Sequence, residues 1–329
     1  MARERIDLMD SAAVRRFIER SDELGGPDVE ATKAWWQRVE CVISARLRAN
    51  MSNFDPLSQR YFDLQEQLYH AIYGRRYTDM ECELTPFDQE QAFRSLLAYP
   101  GRSPANLNRY FHAMAKLADQ FDVEGPCDVL ELGSGWGFSA EYMARLGHRV
   151  VAVDINPDFV AVTTRRSAAA GLGIDCRQGT FENPPLHPDE RFDVIFCFEA
   201  FHHCRHPLAA LRMLRQALRP EGRFILSGEP FIDPAMWPSW GLRTDPLSVY
   251  CTGKFGWWES GWTVAFMKDL FRQVGLQTSF VDFHSDLERY MVGRLGKIAQ
   301  DQFEEAERLA NLQPEPVRRA EGVNRCPAD

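Results

Sequence analysis

The sequence predicts an α/β fold, in which a mostly parallel sheet carries helices on both faces and an N-terminal helical cap precedes the sheet. From residue 127 onward, short apolar runs alternate with helical segments, as they do in βα units, whereas helical periodicity dominates the first 125 residues. We therefore divide the chain into a helical cap region (1–125), an α/β domain (126–296) and a C-terminal helix with a flexible tail (297–329).

The cap region contains three stretches with apolar residues at helical spacing, at 31–51, 57–73 and 104–121. No strand pattern is present before residue 129. We therefore expect this region to be helical throughout.

The α/β domain is predicted from its alternating strands and helices. We place five parallel strands near 127–132, 149–154, 174–178, 192–198 and 222–228. Helices are expected near 137–147, 156–171, 205–218 and 264–274, the last with Gly275 as its C-cap. Two further strands, near 277–284 and 289–294, would form an antiparallel edge of the sheet.

The composition is that of a globular protein, with 45% hydrophobic and 26% charged residues among 329. A formal net charge of -9 disfavours nucleic acid as a partner, because proteins that bind phosphate backbones usually present a basic surface. No apolar run reaches the roughly 20 residues of a membrane span, and none near the start suits a signal peptide. The 8 cysteines include no Cys-x-x-Cys pair, which indicates reduced thiols in a cytoplasmic protein without a membrane contact.

A glycine-rich segment, VLELGSGWGF at 129–138, joins the first strand of the domain to its helix. Glycines allow a sharp turn and close approach to a ligand, and the following helix N-terminus offers free N–H groups. Asp154 ends the next strand, 19 residues after Gly135, which is the spacing at which an acidic side chain meets ribose hydroxyls.

A nicotinamide dinucleotide also fits this pattern, so a nucleotide-dependent oxidoreductase is an alternative. The dinucleotide fingerprint requires a third glycine where this chain has Phe138. Glu131 would also lie beside the pyrophosphate, where like charges repel. A ligand with an ammonium group and a sulfonium makes the same carboxylate favourable, which disfavours the oxidoreductase.

The chain resembles the class I S-adenosylmethionine-dependent methyltransferases, which are Rossmann-like proteins, over about residues 126–296. The resemblance rests on ordered motifs: ELGSGWG, VVAVDINPDFV with the acid of the second strand, QGTFEN after the third strand, RFDVIFCFEAFHH at the fourth, and LRPEGRFILSGEP leading into the fifth. It implies S-adenosyl-L-methionine as the cofactor and S-adenosyl-L-homocysteine as its product.

The resemblance also implies the cofactor-binding residues. Glu131, Gly133, Ser134, Gly135 and Gly137 would surround the methionine part, Asp154 would bind the ribose, and Ile155, Thr180 and Phe181 would bound the adenine. Many relatives have Gly-Asp where this chain has Gly179 and Thr180, and Glu182 is the substitute acid.

Three residues near the ends of the fourth and fifth strands are candidates for catalysis. His203 is the first candidate for a general base, because an ordinary histidine pKa of about 6.5 lets it take a proton near neutral pH. Glu199 and Glu229 are the other two, although Glu229 would equally suit a cap of the local turn. The run at 202–206 contains three histidines and a cysteine, but adjacent ligands rarely converge on one ion, and we predict no metal site.

Five of the 8 tryptophans lie in an insertion at 231–262. The segment suits either a lid that stacks on an acceptor and excludes water, or a hydrophobic plug against the cap or a subunit contact. The sequence leaves a homodimer or another homo-oligomer open.

The predicted function is transfer of a methyl group from S-adenosylmethionine to a small-molecule or sugar-containing acceptor, with O-methylation as the first choice. N- or C-methylation of a small metabolite is the alternative within the same class. A third hypothesis is a binding module that keeps this fold but no longer catalyses a reaction. The intact glycine turn and Asp154 argue against it.

Overall fold

The computed structural model describes residues 3–84, 87–95, 104–237 and 239–296, so the helix and tail expected at 297–329 lie outside the described residues. The strands are β1 (Glu4–Asp7), β2 (Val39–Val42), β3 (Asp128–Leu132), β4 (Arg149–Asp154), β5 (Asp175–Gln178), β6 (Phe192–Phe198), β7 (Leu218–Ser227), β8 (Trp240–Leu242), β9 (Ser260–Trp262), β10 (Leu276–Asp282) and β11 (Arg289–Leu295). The helices are α1 (Ser11–Glu23), α2 (Glu30–Trp36), α3 (Ala45–Ser52), α4 (Gln59–Tyr73), α5 (Asp79–Cys82), α6 (Gln89–Arg94), α7 (Pro104–Asp119), α8 (Phe138–Arg145), α9 (Pro157–Ala170), α10 (Pro207–Gln216), α11 (Pro246–Phe255) and α12 (Val264–Gln273).

The central sheet has seven strands in the order β10-β11-β7-β6-β3-β4-β5. The five strands from β7 to β5 pair in parallel, and β11 and β10 add an antiparallel edge. The predicted strands and their antiparallel edge are confirmed. The strand order reverses between β3 and β6, and open α/β sheets of this kind bind ligands in the crevice outside the carboxyl ends of the strands at that point.

Strand β6 explains why helices cover both faces of the sheet. Apart from Asp193, its residues are apolar and buried, and successive side chains point to opposite faces. Ile195 and Cys197 join one apolar cluster, while Val194 and Phe196 join another. A strand that buries both faces needs a helical layer on each, which places the Rossmann-like layers as predicted.

The expectation of no strand before residue 129 is wrong. β1 and β2 form a short parallel pair, and β2 interrupts the single helix expected over 31–51, leaving α2 and α3 on either side. In β2 the buried side chains of Val39 and Cys41 alternate with exposed Glu40, which is the two-residue period of a strand. The helices predicted at 57–73 and 104–121 are present as α4 and α7.

The aromatic insertion packs mainly into the interior. Trp237, Trp258 and Trp262 have no exposed surface, and the ring of Trp258 stacks on Phe62 of α4 at 5.8 Å between centroids. The indole N–H of Trp240 donates to the carbonyl of Pro56 at 2.8 Å. These contacts support the plug interpretation for most of the segment.

No helix among the residues that the structure describes combines the length and apolar character needed to cross a membrane.

Candidate active site

A cavity of about 1080 Å³ opens at the carboxyl ends of the central strands. Its walls come from the turns after β3, β4, β6 and β7, from the N-terminal region and from the aromatic insertion. All of the candidate residues line it except Glu131, at the end of β3, and Gly137, at the start of α8. The position is the crevice predicted by the reversal of strand order.

The glycine turn after β3 is held in a left-handed backbone. Gly133, Gly135 and Gly137 have φ values of 71°, 51° and 84°, which side chains disfavour. A Cβ on Gly133 would lie 2.5 Å from the Cβ of Ala200, and one on Gly137 would overlap the side chain of Thr163. At Gly135 nothing lies within 4 Å of an added Cβ. Gly133 and Gly137 therefore allow neighbouring side chains to pack closely against the turn, whereas Gly135 leaves open space for a ligand.

Asp154 fixes this turn from the neighbouring strand. Its Oδ2 accepts the backbone N–H of Gly135 at 2.8 Å, and its Oδ1 accepts the backbone N–H of Asn156 at 2.8 Å. Burial raises the pKa of Asp154 to about 6, although both N–H donors act to lower it. The acidic group predicted for the ribose therefore lies in the cavity wall beside the open side of Gly135.

Glu131 is a buried carboxyl group with an unused acceptor. It has no exposed surface; its Oε1 accepts the hydroxyl of Ser139, and its Oε2 has no hydrogen-bond partner among the described residues. Burial raises its pKa to about 8, the hydroxyl of Ser139 opposes this, and the charge of Asp154 adds to it. The carboxyl group of Asp154 lines the cavity and that of Glu131 lies buried at the end of β3, and the pair favours a cationic ligand.

This burial predicts a pH-dependent stability of the cofactor-free protein. Because the pKa of Glu131 rises from 4.5 to about 8 on folding, its contribution to stability is complete below pH 4.5 and is lost as the pH approaches 8. We expect Glu131→Gln to reduce the loss in unfolding free energy between pH 5 and pH 8 by on the order of 3 kcal/mol. Denaturant titrations at both pH values measure it, with the exposed Glu124→Gln as control; equal pH dependence in wild type and Glu131→Gln contradicts this account of Glu131.

The residues predicted for adenine lie at the β4 and β5 end of the same cavity. Ile155, Thr180 and Phe181 line it, and the hydroxyl of Thr180 accepts the backbone N–H of Asn183 at 3.1 Å. Glu182 also lines the cavity but accepts the backbone N–H of His206 at 3.3 Å. Its carboxylate is therefore engaged with the loop after β6.

Glu229 caps the loop that carries the histidines. Its Oε1 accepts the backbone N–H groups of Ala200 and Phe201 at 3.0 and 2.7 Å, and its Oε2 accepts that of His202 at 3.0 Å. The same Oε2 lies 2.9 Å from Nδ1 of His202. The geometry supports the capping alternative for Glu229, and it orients an imidazole that the sequence analysis did not select.

His203 has a different environment from the one expected. Its Nδ1 lies 3.1 Å from Oε2 of Glu83, which the N-terminal region supplies just after α5. Burial alone would lower the pKa of His203, but the charges of Glu83, Glu259 and Glu229 raise it to about 9. A pKa of about 9 favours the charged ring at neutral pH, where the sequence analysis expected a proton acceptor.

Glu199 lines the cavity directly after β6 and has a φ of 49°. Its backbone N–H donates to the carbonyl of Ser227 at 2.9 Å, so the strained position is tied to the end of β7.

The side-chain atoms of His202, His203 and Glu259 that could bind a metal ion lie within 4.8 Å of one another. Glu259 forms a salt bridge with Arg243, and His203 pairs with Glu83. Glu259 and His203 therefore already have protein partners.

Sequence reasoning missed Glu83, Tyr77, Arg243 and Glu259, all of which line the cavity. None belongs to a local motif, because each arrives from the N-terminal region or from the insertion. The high aromatic content at 231–262 was the available signal, and Trp257, 5.9 Å from the His203 ring, is the tryptophan of that segment that lines the cavity.

Residues 130–226 match a family model described as a methyltransferase domain. A ubiquinone biosynthesis O-methyltransferase of Xanthomonas euvesicatoria pv. vesicatoria is 35% identical over 99 residues, which cover 30% of this chain and 41% of that protein. The protein of the same name from Xanthomonas oryzae pv. oryzae is 33% identical over the same coverage. The chain thus spans less than half the length of these curated relatives.

The chain is also similar to solved structures. One is a SAM-dependent methyltransferase from Aquifex aeolicus, with 18% identity, a TM-score of 0.43 and coverage of 64% of this chain and 98% of that one. Another is SAM-bound CalS10, an amino pentose methyltransferase from Micromonospora echinaspora, with 15% identity, a TM-score of 0.44 and the same coverage.

Proposed function

We propose that this protein, whose residues 130–226 match a methyltransferase domain, transfers a methyl group from S-adenosylmethionine to a hydroxyl of a small-molecule or sugar-containing acceptor. The observation that carries the proposal is the glycine turn: Gly135 faces open space, Asp154 holds the turn, and Glu131 keeps an unpaired buried oxygen. A cofactor with ammonium and sulfonium charges suits these two carboxyl groups.

The described residues suit each part of the cofactor. Glu131, Gly133, Ser134, Gly135 and Gly137 would hold the methionine part, with its ammonium toward the carboxyl end of β3. Asp154 would accept the ribose hydroxyls, and Ile155, Thr180 and Phe181 would enclose the adenine. The bound cofactor supplies an electrophilic methyl group on sulfur.

The remaining cavity is the proposed acceptor site. It is lined by the apolar groups of Phe231, Ile232 and Trp257 and by the charged cluster of His203 and Glu259. An apolar wall with a few convergent polar groups is typical of small-molecule sites. The protein would supply orientation and a water-poor environment, which give a large share of the rate enhancement in displacement reactions.

O-methylation is proposed because a hydroxyl needs a proton acceptor, and two imidazoles lie at the expected end of the cavity. The curated relatives named above are O-methyltransferases, which supports the same choice. N- or C-methylation remains the alternative. An oxidoreductase is disfavoured because Phe138 occupies the third glycine position and buried Glu131 would face a pyrophosphate.

Incubation with methyl-labelled S-adenosylmethionine and a panel of phenols, sugars and amines tests this function. We expect label in an ether carbon of a hydroxylated acceptor, located by mass spectrometry and carbon NMR. Label only on nitrogen or carbon would overturn O-methylation while keeping the enzyme class.

A further inference from the structure

We propose that the two neighbouring histidines have divided roles: His202 accepts the proton of the acceptor hydroxyl, and His203 is a permanent imidazolium that Glu83 maintains beside the reacting oxygen. The inference rests on the proposed function and names its base. It also makes the N-terminal region, through Glu83, a part of the chemical site.

The hydrogen bonds of Glu229 determine the tautomer of His202. A carboxylate that already accepts three backbone N–H bonds acts as an acceptor, so Nδ1 of His202 carries the hydrogen toward Oε2. The lone pair of the neutral ring is then on Nε2. Ser260 donates its hydroxyl to the His202 carbonyl at 2.6 Å, which fixes the backbone of the same residue. His202 is therefore oriented as a base, with Glu229 as its positioning residue.

The surroundings of His202 keep it neutral until it receives a proton. Burial and the neighbouring positive charge on His203 lower its pKa well below 6.5. Glu259 lies 3.8 Å from its Nε2, but the salt bridge to Arg243 offsets that carboxylate. Once protonated, the ring would lie between Glu229 and Glu259, and both carboxylates would stabilise the new charge.

Glu83 is held in place by two other donors. The hydroxyl of Tyr77 and the backbone N–H of Trp258 both donate to its Oε1 at 2.9 Å, leaving Oε2 for His203. The two imidazole rings are 4.3 Å apart between centroids. Charge on His203 therefore acts directly on His202 and on an acceptor oxygen in the cavity.

The proton and electron balance of the step is simple. An electron pair of the acceptor oxygen forms the new bond to the methyl carbon, the electrons of the sulfur–carbon bond return to sulfur, and the hydroxyl proton moves to Nε2 of His202. The imidazolium of His203 stabilises the partial negative charge on oxygen before that bond is complete.

Several charged groups face the rings of His202 and His203, and removing any of them should change the pKa of the ring that it faces. His202 faces Glu229, Glu259, Arg243 and His203, and His203 faces Glu83, Glu259, Glu229, His202 and, less directly, Asp154. Among them Glu83 is the carboxylate that pairs with His203 through its Nδ1.

The first test is NMR of the full-length protein with nitrogen-labelled histidine, at pH 8 and without cofactor. We expect a neutral His202 with hydrogen on Nδ1 and a doubly protonated His203, each assigned by its Gln variant. In Glu83→Gln, His203 should lose its second proton, because burial then outweighs the remaining charges. Two neutral rings in the wild type, or an unchanged His203 in Glu83→Gln, would overturn the inference without touching the methyltransferase assignment.

The second test is the pH dependence of methyl transfer. The wild type should lose activity as the pH rises through about 9, where His203 is neutralised, and should keep it on the acid side until the pH is well below 6.5, where His202 becomes protonated. Glu83→Gln should move the alkaline limb at least one pH unit lower and reduce kcat at pH 8 about tenfold. The exposed His187→Gln serves as control and should keep both limbs. A uniform loss in Glu83→Gln with unchanged limbs indicates a structural role and contradicts the proposal.

Discussion

A valine at position 135 is expected to abolish measurable binding of S-adenosylhomocysteine. Gly135 has a φ of 51° and open space where a Cβ would lie, so the branched side chain strains the turn and fills the volume assigned to the ligand. Calorimetry should show an affinity at least 100-fold weaker than wild type, a lower limit that corresponds to about 2.7 kcal/mol.

Gly171→Val is the matched control for this variant. Gly171 caps α9 with a φ of 67° and also has nothing within 4 Å of an added Cβ, but it does not line the cavity. It should lose stability through the same backbone strain while keeping its affinity for S-adenosylhomocysteine. Wild-type affinity in folded Gly135→Val would show that the cofactor binds elsewhere.

Asp154→Ala should weaken the binding of S-adenosylhomocysteine by roughly 1.5–3 kcal/mol through loss of charge-assisted hydrogen bonds.

The two adjacent tryptophans of the insertion should behave differently. Trp258 is fully buried and packs on Phe62, Tyr69 and Tyr77, so Trp258→Ala should destabilise the protein by about 3–5 kcal/mol. Trp257 is only partly buried and lines the cavity beside His203. Trp257→Ala should raise the KM for the acceptor while leaving cofactor affinity unchanged.

Thermal unfolding and steady-state kinetics of the Trp257→Ala and Trp258→Ala variants show whether each tryptophan belongs to a plug or to a lid. Equal destabilisation by both substitutions, with no separate effect of Trp257→Ala on the acceptor, would make both residues parts of the plug.

The α/β domain could be predicted because its strands bury both faces. Strand β6 is apolar except at Asp193, and the glycines after β3 mark the turn that a parallel strand needs before its helix. Asp154 could be predicted from its distance in sequence, because β3 and β4 are neighbours and end at the same edge.

The rest of the site depends on contacts that no local pattern encodes. Glu83 follows a helix of four residues, yet it determines the charge of His203 in a distant turn. Glu259 and Arg243 meet because β8 and β9 pair within the insertion, and each strand has only three residues. β2 was missed for a similar reason, since four alternating residues lie within a stretch that also has helical spacing.

Titration of the wild-type protein with S-adenosylhomocysteine and, separately, with NADH distinguishes a methyltransferase site from an oxidoreductase site. We expect saturable binding of S-adenosylhomocysteine at one site per chain, with a higher melting temperature in its presence, and no comparable effect of NADH. Binding of NADH alone, or no binding of S-adenosylhomocysteine to the folded protein, would rule out the methyltransferase site.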